Sequence, residues 1–166
     1  MEMTSLHVVL LLSALLCSLV AGLLFGFAVV VMPGIAKLSD REFLLAFKHM
    51  DGIIQHNQPL FLLAWVGSIL SLAAALVLGT VILTGSELYL MWTAAVLYFL
   101  GVQLPTFRFN IPLNNSLQDL EIQSLDEPQL KQSRVEFETP WNRWNRIRTF
   151  NAISTVSALL VLLFQF

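Results

Sequence analysis

Four long apolar segments constrain this chain more than any other feature of its sequence. A transmembrane helix needs roughly 20 consecutive apolar residues, and four segments of the chain reach that length. They are residues 7–32, 59–83, 88–107 and 144–165. Only 12% of the 166 residues are charged, against about 25% in a typical soluble domain. The sequence therefore predicts an all-α, single-domain transmembrane protein over residues 1–166, with no room for a nucleic-acid-binding domain.

The basic residues are distributed unevenly around these segments. Of the nine Lys and Arg residues, three lie between the first and second segments, and the other six lie between the third and fourth segments or at the start of the fourth. Because Lys and Arg favour the cytoplasmic side of a membrane, we predict that loops 33–58 and 108–143 are cytoplasmic. Both termini of this multi-pass protein are then predicted on the non-cytoplasmic side. The first segment lacks a basic n-region, so we predict a retained span rather than a secretion signal.

The segments are predicted to pack as an up-down four-helix bundle. The link between the second and third, Thr84-Gly85-Ser86-Glu87, is so short that these helices should be antiparallel neighbours. Small residues repeated every four positions mark close helix contacts in membranes. The first segment carries Ser18, Gly22 and Gly26, and the second carries Gly67, Ser71, Ala75 and Gly79. We expect these two stripes to meet each other or the neighbouring helices.

The first loop is predicted to contain an amphipathic helix that lies on the membrane surface. Pro33-Gly34 predicts the end of the first span, and Ser39 with Glu42 has the pattern of a capping box. Apolar side chains then recur every three or four residues and predict one apolar helix face. These are Phe43, Phe47, Met50 and Ile54.

The second long loop is predicted to hold one or two short amphipathic helices. Leu117 and Leu120 should face inward on them, with the acidic residues of the loop in solvent. Thr139 followed by Pro140 has the pattern of a helix start, because Thr caps and Pro suits the first turn. The fourth helix is therefore predicted to begin near Pro140, with Arg148 more than two turns inside it.

Three groups of polar side chains are predicted to converge at the cytoplasmic end of the bundle. A buried guanidinium requires an anionic or strongly hydrogen-bonding partner, and none of the four segments contains Asp or Glu. Arg148 should therefore bind backbone, amide side chains, a loop acid or a ligand, unless it merely caps neighbouring carbonyls. The candidate site residues are His56 and Asn57; Gln103, Asn110 and Asn114; and Trp141, Trp144, Asn145 and Arg148.

His56 is the candidate general base of this set, because an imidazole titrates near neutral pH. An interfacial histidine without a special task and a single axial haem ligand are the alternatives. The spans lack the Glu-x-x-His pairs of a di-iron bundle, and the chain lacks a phosphate loop or a dinucleotide fingerprint. The sequence leaves the cofactor unknown, with none and haem both open.

The polar pattern in the second half of the chain resembles a known family. Asn110-Ile111-Pro112-Leu113-Asn114, followed by Trp141-x-x-Trp144-Asn145-x-x-Arg148, is similar to the anthrone oxygenase-like family of small four-span membrane proteins. The resemblance implies an oxygenase that converts an anthrone to an anthraquinone with dioxygen, and that works without an evident metal or flavin. The partners are then an apolar aromatic or lipid-like small molecule and membrane lipids, and a homo-oligomer is compatible with this layout.

The resemblance suggests roles for the candidate residues. The flat substrate would stack on Trp141 or Trp144, with the predicted amide side chains at its oxygens. His56 would remove the acidic ring proton, and Arg148 would stabilise the resulting enolate. The alternative is a non-enzymatic membrane scaffold or a lipid- or small-molecule-binding protein. An enzyme needs a cavity among Asn57, Asn110, Asn145 and Arg148, whereas a scaffold should have these side chains bonded to one another without a void.

Overall fold

The structure is a computed structural model that describes residues 2–165, so Met1 and Phe166 lie outside the described residues. The described residues form five helices. Helix α1 spans Glu2–Gly26 and continues through π-helical Phe27–Val31 to Met32–Ile35; α2 is Asp40–Gln55; α3 is Pro59–Ile82; α4 spans Gly85–Tyr98 and continues through π-helical Phe99–Gln103 and Thr106–Asn110 to Ile111–Gln118; and α5 is Glu127–Leu163. Helices α1, α3, α4 and α5 are long and apolar enough to cross a membrane. The predicted all-α bundle with four candidate spans is confirmed.

Two of these helices extend well beyond the predicted spans. Helix α4 reaches Gln118, and most of the predicted loop 108–143 consists of the ends of α4 and α5, which a 3-10 turn at Ile122–Ser124 joins. The predicted start of the last helix near Pro140 is wrong. The helix begins after Asp126, whose side chain accepts from the Gln129 backbone in a capping box. A proline removes one helical hydrogen bond, and packing on both sides of Pro140 carries the helix through it.

The predicted end of α1 at Pro33-Gly34 is confirmed, because the helix ends at the next residue, Ile35. These two residues lie within the last helical turn, Met32–Ile35, which follows a π-helical segment. A π-helical turn already leaves a backbone carbonyl displaced from the usual hydrogen-bond ladder. A proline directly after it therefore interrupts the helix less than it would in a regular α-helix.

The four long helices form a ring in the order α3, α1, α5, α4, in which α3 and α4 contact each other least. Of the two predicted small-residue stripes, the one on α3 faces inward: Ser71, Ala75 and Gly79 are buried. The stripe on α1 does not, because a Cβ added at Gly22 would meet nothing within 4 Å. Helix α1 instead buries a face that includes Cys17. The prediction for α1 was wrong because the buried face of the helix carries Ala14, Cys17 and Ala21, whereas Ser18 and Gly22 are exposed.

Helix α2 covers the end of the ring, and its apolar face packs on protein rather than lying on the membrane surface as predicted. The Phe47 ring contacts the rings of Phe137 and Trp141 of α5, with centroid distances of 4.6 and 5.1 Å. The predicted capping box between Ser39 and Glu42 is confirmed at the start of the helix. We call this end of the molecule, with α2 and the α4–α5 connection, the capped end.

Arg134 of α5 joins α2 to the bundle, and we expect its removal to loosen the capped end. Its guanidinium donates to Asp40 at 2.9 Å, to Glu138 at 2.8 Å and to two backbone carbonyls of the α1–α2 connection. Hydrogen bonds of charged groups contribute about 1.5–3 kcal/mol each when buried, and less where solvent screens them. Arg134→Ala should therefore lower the free energy of unfolding by about 1–2 kcal/mol. Thermal unfolding in detergent measures this, with exposed Lys131→Ala as the control that should change nothing.

Candidate functional site

A cavity of about 330 Å³ lies at the capped end of the bundle. Side chains from all five helices line it, and most of them are apolar or aromatic. The apolar lining consists of Leu23, Leu24, Phe27, Phe47, Ile54, Phe61, Leu62, Trp65, Val66, Ile69, Phe107, Ile111 and Trp141. Its volume is within the range of small-molecule sites, about 300–1,000 Å³. The predicted hollow at this end of the helices is therefore present.

The cavity reaches the outer surface between α3 and α4, the pair of helices with the weakest contact. Leu62 and Val66 of α3 line the cavity and are also exposed, as are Phe107 and Ile111 of α4. These side chains lie on helices apolar enough for a membrane. An apolar molecule dissolved in lipid can therefore approach the cavity from the side of the bundle.

The irregular backbone of α4 directs its polar side chains into the interior. Two π-helical segments flank Pro105, and the buried polar residues on them are Gln103, Thr106 and Asn110. A π-helical turn widens the helix and changes which side chains share a face, and such turns are frequent at functional sites. The three polar residues follow one another at intervals of three and four residues. They therefore form one inward face that continues to Asn114.

Arg148 of α5 lies against the cavity without an acidic partner, and its guanidinium is 5.8 Å from the Trp141 ring. Its side chain is buried, with 5% of its surface exposed. Its Nη1 donates to Thr106 Oγ1 at 3.1 Å and its Nη2 donates to Asn145 Oδ1 at 3.0 Å, but its Nε has no partner. In the described part of the chain, no acidic side chain lies within 4 Å of the Arg148 guanidinium. A buried cation without an anion is unfavourable, so the site favours an acceptor oxygen beside Nε.

Asn110 supplies an unused acceptor in the same cavity. Its Nδ2 donates to the Trp141 carbonyl over a long 3.4 Å, and its buried Oδ1 has no partner. Gln103 lies one layer behind the lining and positions it, because its Oε1 accepts from Trp65 Nε1 at 3.1 Å. Buried polar atoms are nearly always hydrogen-bonded. Three buried side-chain atoms of the described residues lack a partner: Gln103 Nε2, which lies behind the lining, and Asn110 Oδ1 and Arg148 Nε, which belong to lining residues. The two atoms of the lining residues indicate a ligand with one donor and one acceptor.

Asp51 of α2 also lines the cavity, although the sequence analysis did not include it among the site residues. It is 4% exposed and accepts from Asn114 Nδ2 at 2.7 Å, from Gln118 Nε2 at 2.8 Å and from Gln55 Nε2 at 3.2 Å. Asn114 in turn accepts from Trp141 Nε1 at 2.9 Å. This chain of hydrogen bonds connects α2, α4 and α5 and holds the indole in the cavity wall.

The spacing of Asp51 could have identified it. It follows Phe47 by four residues and precedes Ile54 by three, so it lies on the apolar face of an amphipathic helix. A carboxylate on the buried face of a helix is uncommon unless it has partners. That pattern was visible in the sequence, but its partners on α4 are about 60 residues away along the chain.

The structure does not bring the predicted base to the cavity. His56 is exposed at the end of α2, with Nδ1 against the Gly52 carbonyl. Asn57 follows with φ of 59°, the left-handed conformation in which Asn commonly ends a helix. Both residues border a separate, open groove of about 680 Å³ on the outer side of α2. Of the four residues predicted to surround the hollow, Asn110, Asn145 and Arg148 do so and Asn57 does not.

Trp144 lies on the outer side of the bundle. Its ring stacks on Phe109 of α4 with the centroids 3.7 Å apart. The guanidinium of Arg143 lies 5.9 Å from the Trp144 ring, and that of Arg108 lies 5.4 Å from the Phe109 ring. Aromatic and basic side chains of this kind are typical of membrane interfaces. Trp141, rather than Trp144, is the indole that lines the cavity.

The described residues contain no group of three His, Cys, Asp or Glu side chains that could hold a metal ion. A family model described as anthrone oxygenase matches residues 54–160, more than half of the chain. No curated protein and no solved structure matches the chain. The matched region begins near the end of α2 and ends in α5. It includes Asn110, Trp141 and Arg148, and it begins just after Asp51.

Proposed function

Because the chain belongs to the anthrone oxygenase family, we propose that it oxidises an anthrone-type substrate to the corresponding anthraquinone inside the cavity at the capped end. Family membership supports an oxygenase-like role in general. The proposal of this substrate class depends on one observation, the unpartnered Arg148 Nε and Asn110 Oδ1 in a cavity whose lining is mostly apolar. In the reaction, one methylene group and one dioxygen molecule give one carbonyl group and one water molecule.

A hydroxylated anthrone has the shape and the polar groups that this cavity can accommodate. Its three fused rings are flat and apolar, and the aromatic side chains Phe27, Phe47 and Trp141 form a wall on which such rings can stack. Its ketone oxygen would accept from Arg148 Nε. A phenolic hydroxyl would donate to Asn110 Oδ1. The substrate would thereby fill the two unused hydrogen-bonding positions.

Arg148 would stabilise the charge that develops during the reaction. Removal of a methylene proton converts the ketone to an enolate, and the negative charge gathers on the oxygen beside the guanidinium. A cation already fixed in a site without water stabilises such a charge more than solvent does. Thr106 and Asn145 hold the guanidinium in place. The electron-rich carbon of the enolate then reacts with dioxygen, and loss of water from the hydroperoxide gives the quinone.

The direct test is turnover by the purified protein in detergent or lipid nanodiscs. We expect it to convert a dihydroxylated anthrone to the anthraquinone faster than the uncatalysed reaction, with oxygen uptake equal to quinone formed. The matched control is the Arg148→Met protein, which keeps the cavity but not the charge. Binding of the anthrone without any acceleration would contradict the enzymatic proposal and favour a small-molecule-binding protein.

Access from the lipid can be tested at the gap between α3 and α4. Val66→Trp should reduce turnover of a membrane-dissolved anthrone at least about 10-fold through an increased KM, because the bulkier ring would fill the opening. Val77→Trp is the matched control, since Val77 is 67% exposed on the same helix and does not line the cavity. Equal KM values for the two variants would show that the substrate arrives by another path.

A further inference from the structure

Two ionisable side chains line the cavity among the described residues, Arg148 and Asp51. Arg148 stays protonated at any physiological pH in ordinary surroundings and is suited to bind a negative oxygen. Asp51 is therefore the lining group that can accept a proton. His56 and Asn57 lie on the open groove outside, and the aromatic and amide lining residues are not bases.

The surroundings of Asp51 hold a carboxylate in one orientation without neutralising it. Its three hydrogen-bond partners are amides, from Asn114, Gln118 and Gln55, and none is a cation. A carboxylate offers about four acceptor positions, so one remains. The three amides also fix both oxygens, since Asn114 bonds Oδ1 and the two Gln side chains bond Oδ2. Asp51 is thus a buried, oriented anion at the wall of an apolar cavity.

We infer that Asp51 is the catalytic base, which takes the proton from the methylene carbon of the substrate. This inference rests on the proposed function. The C–H bond breaks, its electron pair remains in the substrate as the enolate, and an O–H bond forms on the Asp51 carboxylate. Dioxygen then adds to the enolate carbon to give a peroxide, and protonated Asp51 returns the proton to it. Asp51 then removes the second methylene proton while the C=O bond forms and the O–O bond breaks, and it passes that proton to the departing hydroxide, which leaves as water.

The two charges of the cavity make this proton transfer favourable. Before the transfer, the negative charge lies on Asp51; afterwards it lies on the substrate oxygen, in contact with the unpartnered Nε of Arg148. The net charge of the cavity does not change, so no additional charge is buried. The anion moves from amide donors to a guanidinium, with which hydrogen bonds are stronger.

The inference can be tested without the oxygen step, by hydrogen exchange under anaerobic conditions. The protein is mixed with a dihydroxylated anthrone in D₂O without dioxygen, and deuterium incorporation at the methylene group is followed by NMR. Wild-type protein should accelerate exchange, and Asp51→Asn should lose at least about 100-fold of this acceleration, the usual size of a general-base effect. His56→Ala and Asp119→Asn, both at exposed residues, are the matched controls and should exchange like wild type.

A structural role for Asp51 is distinguished by two further measurements. Binding of the anthraquinone product, followed by tryptophan fluorescence, should be retained in Asp51→Asn within about 3-fold, because Asn114 can still donate to the remaining carbonyl oxygen. If Asp51→Asn does not fold, the pair Asp51→Glu and Asp51→Gln replaces it. The Glu variant keeps a carboxylate and should exchange at least about 10-fold faster than the Gln variant.

The possible outcomes separate this inference from the proposed function. Normal exchange by Asp51→Asn, loss of exchange in His56→Ala alone, or no acceleration by wild type would each overturn the role of Asp51. Exchange that depends on Asp51, without quinone formation in air, would support the base and contradict the oxygenase proposal. Quinone formation by wild type together with normal exchange in Asp51→Asn would support the oxygenase and require another base.

Discussion

Replacement of Arg148 by methionine is expected to slow anthrone oxidation by about 100- to 1,000-fold, the usual loss when one donor to a developing oxyanion is removed. The loss should lie in kcat more than in KM, because the guanidinium binds the enolate more strongly than the neutral ketone. Methionine is chosen because it fills a similar volume without a charge. Steady-state rates of quinone formation, measured at saturating substrate, provide the result.

The same substitution should leave the protein as stable as before, or more stable. Arg148 is buried without an acidic partner, and such a charge lowers the stability of the folded state. Its loss leaves Thr106 Oγ1 and Asn145 Oδ1 each without one donor, which offsets part of the gain. We expect a thermal midpoint within a few degrees of wild type or above it, as is typical of residues kept for activity rather than for stability.

Arg148→Lys is the matched control for charge alone. Lysine keeps the positive charge but lacks the planar group with which arginine bonds Thr106, Asn145 and a ligand at once. Its turnover should lie between those of wild type and Arg148→Met. If Arg148→Met were instead strongly destabilised, with unchanged kcat in the folded fraction, Arg148 would be a structural residue and the proposed role would be wrong.

Gly101→Ala is expected to destabilise the bundle by about 1–3 kcal/mol, the usual cost of forcing an extra methyl group into a packed interior. Gly101 lies in the first π-helical segment of α4. A Cβ at this position would overlap the Cβ and the amide group of Asn151 on α5. Because the Asn151 side chain also donates to the Ile147 carbonyl at 2.8 Å, it cannot turn away without losing a bond. Helices α4 and α5 would have to separate.

Gly22→Ala is the matched control for this prediction. Gly22 is also helical, but a Cβ there would meet nothing within 4 Å, so the midpoint should stay unchanged or rise slightly through better helix propensity. Thermal unfolding of both variants in the same detergent gives the comparison. Equal midpoints would mean that the α4–α5 contact tolerates a side chain at Gly101.

We further expect Gly101→Ala to weaken anthraquinone binding, because Asn110 and Arg148 lie on the two helices that separate.

The most reliable sequence predictions were those that depend on local pattern and on length. The spans follow from runs of apolar residues, and the capping box at Ser39 and Glu42 follows from four adjacent positions. The family assignment from the Asn and Trp-Asn-Arg motifs is confirmed. The cytoplasmic placement of the loops stays a prediction.

The sequence predictions that failed concern where helices end and how they are rotated. Pro140 has the local pattern of a boundary, yet it lies within a helix because tertiary packing outweighs one lost hydrogen bond. Gly22 has the spacing of a contact residue and makes no such contact, whereas the closest contact is at Gly101, which belongs to neither predicted stripe. The rotation of a helix depends on all its neighbours together, and no single helix contains that information.

By itself, the sequence determined that this chain forms four membrane-length helices, with amide, indole and guanidinium groups gathered at one end. Only the tertiary structure decided which of those groups share a cavity. Trp141 lines it and Trp144 does not, because three positions along a helix leave two side chains about 60° apart, and only one of these two faces the interior. Asp51 belongs to the site and His56 does not, because α2 folds back over the bundle end and buries one of its faces. Contacts between residues far apart in sequence set that orientation, and local patterns do not record them.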